Sequence, residues 1–173
     1  MTGGRTYRRL GLAVAALVLL VDQISKYVIM RHLLLAERDG GIELLPVFRL
    51  LWVENRGVSM GLLTAGSDAE RWVLTAFTAA IAIGVAVWLW RERRRADAVA
   101  LGLVMGGAAG NILDRMRLGF VADFLNLHFG AWSPFLVFNV ADAAISIGVA
   151  LLVLRALLSR DAPPPSESRN ERA

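Results

Sequence analysis

Four apolar runs, each long enough to cross a lipid bilayer, dominate the 173-residue chain. They cover approximately residues 10–30, 70–90, 97–116 and 137–158, and a helix needs about 20 apolar residues to span the hydrocarbon core. In lipid, every backbone N–H and C=O must be paired within the protein, so runs of this length form helices. The hydrophobic content of 56% and the mean hydropathy of +0.53 point the same way. The sequence therefore predicts an all-α integral membrane protein with four transmembrane helices.

Arginine is concentrated at one end of the predicted bundle. The link RERRRA at 91–96 holds four arginines, the first nine residues hold three, and the tail from residue 155 holds four, whereas the loop 117–136 holds one. Because positive residues favour the cytoplasmic side, we expect both termini and the link to be cytoplasmic, and segments 31–68 and 117–136 to face outward. We therefore attribute the net charge of +4 to the orientation of the helices in the membrane, and we expect no nucleic-acid partner.

The two outward segments carry patterns of their own. Residues 42–55, IELLPVFRLLWVEN, predict two short strands, and FLNLHF at 124–129 predicts a third. The stretch GVSMGLLTAG predicts a short helix or loop at the membrane interface. We therefore expect four helices with a small extracytoplasmic β-cradle and a short interfacial helix, in a single domain over 1–160. The tail 161–173 is expected to be disordered.

The third apolar run carries a glycine at every fourth position, at Gly102, Gly106 and Gly110. Small residues at this spacing form a ridge along one side of a helix and let a second helix approach closely within lipid. The pattern predicts that the third helix packs tightly against a neighbour, which would hold Asn111 and Asp114 rigidly.

Polar side chains of the predicted helices converge at one depth, the outer interface. Charged groups are costly in lipid and usually mark functional sites there. Simpler explanations exist for some of them: charges at helix ends can extend to the interface, and Asp22 and Lys26, four residues apart, could form only an intrahelical ion pair. Scattered charges, however, have no reason to share a depth. The residues concerned are Asp22, Lys26, Asn111, Asp114, Arg115, Asp123, Asn139 and Asp142.

The residue types present restrict the chemistry of a site at this depth. The chain has no cysteine, and His32 and His128 lack the spacing of metal ligands, so no metal and no cofactor are expected. A GxSxG nucleophile motif is also absent from the sequence. What remains is a pair of close carboxylates, in which one activates water while the other, protonated, polarises a carbonyl. Four acids compete for these roles: Asp22, Asp114, Asp123 and Asp142.

Five blocks of glycine and polar residues follow one another along the chain: DQISK at 22–26, NRGVSMG at 55–61, GGAAGNILDR at 106–115, GFVADF at 119–124 and FNVAD at 138–142. In this order they resemble the lipoprotein signal peptidases (signal peptidase II), the membrane aspartyl proteases of bacteria. The resemblance extends over approximately residues 10–155. One departure is Met60, which stands where the family pattern has an aromatic residue.

The resemblance implies that Asp123 and Asp142 are the catalytic dyad of an aspartic endopeptidase in the bacterial cytoplasmic (inner) membrane. The implied substrate is a prolipoprotein, cut just before a cysteine that already carries diacylglycerol, at the extracytoplasmic face. Prolipoprotein signal peptides and membrane lipid are then the partners, and a monomer suffices. The resemblance also implies residues that line or support the site: Asn55, Gly57, Asn111, Asp114, Arg115, Asn139, Asp22 and Lys26.

Two other functions remain open from the residues alone. Acids and a lysine inside a membrane also occur in proton-coupled or ion-coupled transporters, although these usually have internal repeats or broken helices near the midplane. A non-enzymatic scaffold subunit is the other alternative, and it predicts that the two aspartates are dispensable.

Overall fold

The computed structural model describes residues 7–57, 68–130 and 132–159. Within these residues, four helices are long and apolar enough to cross a membrane, which confirms the predicted fold class. The predicted interfacial helix and Met60 fall outside the described residues, as does the tail 161–173, and the single domain over 1–160 stays a prediction. The helices are α1 (Arg8–Arg31), α2 (Asp68–Arg91), α3 (Arg95–Arg117) and α4 (Val140–Ser159).

The helices alternate in direction. The backbone N–H of Tyr7, before α1, bonds to the carbonyl of Glu92, after α2. At the same end of the bundle, Arg155 of α4 forms an ion pair with Asp97 of α3. We call the other end, where α1 and α3 finish and α4 begins, the sheet end, because the β-strands lie there. Large apolar side chains such as Phe77 remain exposed on the helices, as expected of surfaces that face lipid.

The glycine ridge of α3 packs against α1. A Cβ atom on Gly102 would lie 2.5 Å from the carbonyl oxygen of Gly11, and one on Gly106 would lie 2.5 Å from that of Ala15. On another side of α3, Gly107 faces the backbone of Ala141 in α4. The absence of side chains therefore brings α3 into backbone contact with two helices, and α3 is the most buried of the four spans.

Gly106→Ala should lower the stability of the bundle, because its methyl group would collide with the backbone of Ala15 in α1. Overpacking of this kind typically destabilises by about 1–3 kcal/mol. Gly84→Ala in α2 is the matched control, since a Cβ there meets no atom within 4 Å. Thermal unfolding in detergent measures both, and an equal melting temperature for the two variants would contradict the packing argument.

A three-stranded antiparallel sheet crosses the sheet end of the bundle, with its strands side by side in chain order. Its buried side chains, including Leu50 and Phe124, pack with Ile29 of α1 and with Leu35 of a short 3₁₀ helix. The strands predicted from the sequence are confirmed, and the third begins earlier than predicted because Val121 already pairs with Asn55. The strands are β1 (Ile42–Leu45), β2 (Phe48–Asn55) and β3 (Val121–Leu127).

The loop that follows β3 folds back onto the strand before α4 begins. The N–H groups of Phe124 and Leu125 both donate to the carbonyl oxygen of Phe138, and the N–H of Phe138 donates to the carbonyl oxygen of Leu125. These bonds fix the start of α4 beside the middle of β3. They are what brings the acid of β3 close to the acid of α4.

Candidate functional site

The first turn of α4 is closed by two side chains, those of Asn139 and Asp142. The side-chain oxygen of Asn139 accepts a hydrogen bond of 2.9 Å from the N–H of Asp142. In return, Asp142 Oδ2 accepts one of 3.3 Å from the N–H of Asn139. This reciprocal pair is a capping box, and the helix dipole favours an anion at this position. Asn139 also explains why α4 begins at Val140, a few residues later than the sequence suggested.

Asp123, on β3, is buried and is held by two side-chain amides. Asn139 Nδ2 donates to its Oδ1 at 2.6 Å, and Asn55 Nδ2 donates to its Oδ2 at 2.9 Å. The antiparallel register of β2 and β3 places Asn55 diagonally across from Asp123. Asn55 is oriented in turn by the N–H of Gly57, which donates to its side-chain oxygen at 3.1 Å. Gly57 has φ +122°, a conformation that residues with a Cβ rarely adopt.

Asn111, on α3, connects the two predicted catalytic acids to the rest of the network. Its Nδ2 donates to Asp142 Oδ1 at 2.8 Å. Its side-chain oxygen accepts from Asn139 Nδ2 at 3.2 Å and from Lys26 Nζ at 3.4 Å. Asn139 therefore bonds to Asp123 and to Asn111 with the same amide group, and the carboxylates of Asp123 and Asp142 lie on either side of these two asparagines.

Lys26 lies inside the bundle between two carboxylates. Its Nζ is 2.8 Å from Asp22 Oδ2 on α1 and 2.7 Å from Asp114 Oδ2 on α3, and all three side chains are buried. The intrahelical pair of Asp22 and Lys26 that the spacing allowed is confirmed, and Asp114 adds a second partner from another helix. One cation between two anions offsets part of the cost of burying them.

Asp22, Lys26 and Asp114 form a charged triad. Each of its two carboxylates also accepts a hydrogen bond from a backbone N–H of the site. Asp114 Oδ2 accepts from Ala122 N–H at 3.2 Å, and Asp22 Oδ1 accepts from Ala141 N–H at 3.0 Å. Ala122 and Ala141 are the residues immediately before the two predicted catalytic aspartates. The triad therefore fixes the position of both acids through the main chain. Gly110 makes room for it, since a Cβ there would lie 2.5 Å from Asp22 Oδ2.

Gln23 belongs to the network, although the sequence analysis did not select it. Its Nε2 donates to Asp114 Oδ1 at 3.0 Å and to Asp22 Oδ2 at 3.1 Å. Its position inside the DQISK block is the sequence feature that could have identified it as part of the site. The amide neutralises none of the charge but adds hydrogen bonds to carboxylate oxygens in the interior.

Arg115, on α3, is the cation that faces the pair of acids. Its charge attracts Asp142, Asp123 and Asp114. Its Nε is buried, and it has no hydrogen-bond partner within the described ranges 7–57, 68–130 and 132–159. A buried donor without a partner is uncommon in a folded protein, so this N–H is a candidate to bind an acceptor brought by a ligand.

Burial raises the pKa of Asp123 from 3.8 to about 6. The hydrogen bond from Asn55 lowers the pKa, whereas the negative charge of Asp142 raises it; the hydrogen bond from Asn139 and the charge of Lys26 lower it further. A carboxyl group with a pKa near 6 can hold a proton at a pH where ordinary aspartates have lost theirs. This is what an acid in a two-carboxylate reaction requires.

The raised pKa of Asp123 predicts a pH-dependent difference in stability. Between pH 3.8 and about 6, the folded chain keeps a proton on Asp123 that the unfolded chain has released, so this group makes stability fall as the pH rises. Asp123→Asn does not titrate. Its melting temperature relative to wild type should therefore rise between pH 4 and pH 7, and thermal unfolding in detergent at several pH values measures this. A difference that is constant with pH would contradict the raised pKa.

Fold and site define a multi-pass membrane protein with a network of carboxylates and asparagines at one end of its helices. The sequence profile of the signal peptidase (SPase) II family matches residues 14–158. The lipoprotein signal peptidase of Rhizorhabdus wittichii is 64% identical over 162 residues, 94% of each chain. That of Sphingopyxis alaskensis is 49% identical over 152 residues, 88% of this chain and 87% of the relative.

Two solved structures have the same fold. Both are described as bacterial membrane enzymes, and each superposes with a TM-score of 0.74. One is 23% identical and covers 100% of this chain and 99% of its own, and the other is 25% identical and covers 94% and 100%. The chain belongs to the signal peptidase II family, as the sequence blocks indicated. It is a bacterial aspartic endopeptidase that spans the membrane several times.

Proposed function

We propose that this protein removes the signal peptide from diacylglyceryl-modified prolipoproteins, cutting before the lipidated cysteine with water activated by Asp123 and Asp142. The observation that supports it most is the hydrogen-bonded chain from Asp123 through Asn139 and Asn111 to Asp142, which joins acids from a strand and a helix. The names of the relatives, lipoprotein signal peptidase, supply the substrate class.

The environments of the two acids differ, and we assign their roles from that difference. Asp142 lies at a helix N-terminus and accepts hydrogen bonds from Asn111 and from the N–H of Asn139. These contacts fix the position of its carboxylate, and we assign Asp142 as the base because the other acid of the pair holds the proton. Asp123 has a raised pKa because it is buried, so it holds the shared proton and is the acid.

The reaction then needs only water, the peptide and the two carboxyl groups. Asp142 removes a proton from water as the water oxygen attacks the scissile carbonyl carbon, and Asp123 gives its proton to the carbonyl oxygen. In the resulting gem-diol, one hydroxyl returns a proton to Asp123 while the C–N bond breaks. The leaving nitrogen takes the proton from Asp142, which restores both groups to their starting states.

The remaining polar residues position the acids and the substrate. Asn55, with Gly57, orients Asp123, and the triad of Asp22, Lys26 and Asp114 holds the main chain of both acids. Arg115, with a buried N–H that has no partner in the part of the chain described, is suited to bind a backbone carbonyl of the signal peptide.

The topology follows from the charges. The end opposite the sheet carries the arginines of the link 91–96 and the start of α1. By the positive-inside rule, these charges support cytoplasmic termini and a sheet end at the extracytoplasmic face. The signal peptide is an apolar helix whose lipidated cysteine lies at that same interface. The signal peptide then reaches the dyad from the lipid, and water reaches it from the outer surface. A single copy of the chain carries every residue used in this scheme.

Incubation of the purified protein in detergent with a diacylglyceryl-modified prolipoprotein tests the proposal, with the unlipidated precursor as the control substrate. We expect a single cut before the lipidated cysteine, identified by mass spectrometry, and at least about a hundredfold slower cleavage of the unlipidated form, because remote binding energy from the lipid contributes to the rate. No cleavage of either substrate would overturn the proposal, and ion flux through the protein in liposomes would favour the transporter.

A further inference from the structure

A cavity of about 620 Å³ lies between the C-terminal ends of α1 and α3. Neither Asp123 nor Asp142 lines it, whereas the buried ion pair of Lys26 and Asp114 forms part of its wall. The cavity is therefore distinct from the proposed site of cleavage, and the proposed reaction gives it no role.

Besides Lys26 and Asp114, three charged side chains line the cavity, and they come from three different elements. Arg31 is the last residue of α1, Arg117 is the last residue of α3, and Glu37 ends the 3₁₀ helix Leu35–Glu37. Within residues 7–57, 68–130 and 132–159, neither Arg31 nor Glu37 has an ion-pair partner. Arg117 makes a long hydrogen bond of 3.5 Å to Gln23. All three charges are available to a ligand.

Helix dipoles favour arginine at both of these helix ends, but they do not account for Glu37 in the same cavity. The wall also has apolar side chains that are exposed on the bundle: Ile24 is 52% and Tyr27 is 56% exposed. A ligand that matches this cavity therefore combines an anion, a cation and a hydrocarbon chain in one molecule.

We propose that the cavity binds a glycerophospholipid whose headgroup carries a phosphodiester and a primary ammonium, as in phosphatidylethanolamine. Arg31 and Arg117 bind the phosphate, Glu37 binds the ammonium, and an acyl chain lies along Ile24 and Tyr27. The diacylglyceryl group of a prolipoprotein has neither charge, so it does not match the cavity.

Native mass spectrometry of the delipidated protein tests this assignment, with phosphatidylethanolamine and phosphatidylglycerol of the same chain length. We expect wild type to prefer phosphatidylethanolamine. Arg31→Ala should bind it about tenfold more weakly, because a hydrogen bond between charged groups is lost. Glu37→Gln should still bind phospholipid but lose the preference between the two headgroups. Arg9→Ala, an exposed arginine at the other end of α1, is the matched control and should bind as wild type does.

Arg31 has no hydrogen-bond or ion-pair partner among the described residues, so its loss should leave the fold intact, and an unchanged melting temperature in lipid-free detergent checks this. Equal binding by wild type and Arg31→Ala, or by the two lipids to wild type, would overturn the proposal. A parallel arm adds inorganic phosphate at millimolar concentration. If phosphate displaces the lipid completely, the site is one for free anions and the lipid assignment is wrong. Cleavage of prolipoprotein is measured separately, so the two proposals can fail independently.

Discussion

Asp123→Asn and Asp142→Asn should each reduce the rate of prolipoprotein cleavage by at least about a thousandfold. General acid–base catalysis by a positioned group contributes roughly 10²–10⁴-fold, and the proposed reaction uses both groups in both of its steps. An asparagine at position 142 cannot remove the proton from water. An asparagine at position 123 cannot protonate the carbonyl oxygen, although it keeps nearly the same shape.

The matched control is Asp39→Asn, an exposed acid in the segment between α1 and β1. It changes the same functional group outside the site and should cleave at the wild-type rate. Both dyad variants should remain folded, which their melting temperatures verify. Cleavage by either variant within tenfold of wild type would exclude the dyad mechanism.

Lys26→Met should cause the largest loss of stability among single changes in the network. It removes the cation that separates Asp22 from Asp114 and leaves two buried carboxylates facing each other. Breaking a buried ion pair by removing one partner typically destabilises by about 3–5 kcal/mol. The triad makes no direct hydrogen bond to either dyad carboxylate and acts through the backbone of Ala122 and Ala141, through Asn111 and through its charge. The cleavage rate of the folded fraction should therefore fall less than in either dyad variant.

A double variant, Lys26→Met with Asp22→Asn, isolates the electrostatic part of this effect. The triad has two acids and one base, and the double variant has one acid and no base, so both have a net charge of −1. It should therefore unfold at a higher temperature than Lys26→Met alone. If the double variant is less stable than the single one, the loss comes from packing or from the hydrogen bond of Asp22 to Ala141, and the electrostatic explanation is wrong.

The candidate site was foreseen in part. The five blocks selected nearly all the polar residues that the structure brings together, but Gln23 was missed although it lies inside the DQISK block. From the residues alone, four acids remained equivalent candidates. The family resemblance divided them into a catalytic pair and a supporting pair, and the hydrogen bonds of Asn139 and Asn111 on one side and of Lys26 on the other group them in the same way.

The sequence by itself determined the four spans, the close-packed face of α3 and the strands at the sheet end. These features depend on residues near one another along the chain and on their preference for lipid or water, which length and periodicity express directly. The tertiary structure alone decided that α1 is the partner of the glycine ridge, that Asp114 joins the pair of Asp22 and Lys26, and that the return of the chain from β3 brings Asp142 to Asp123. Those contacts depend on strand register and on backbone hydrogen bonds between distant segments, and no local pattern contains them.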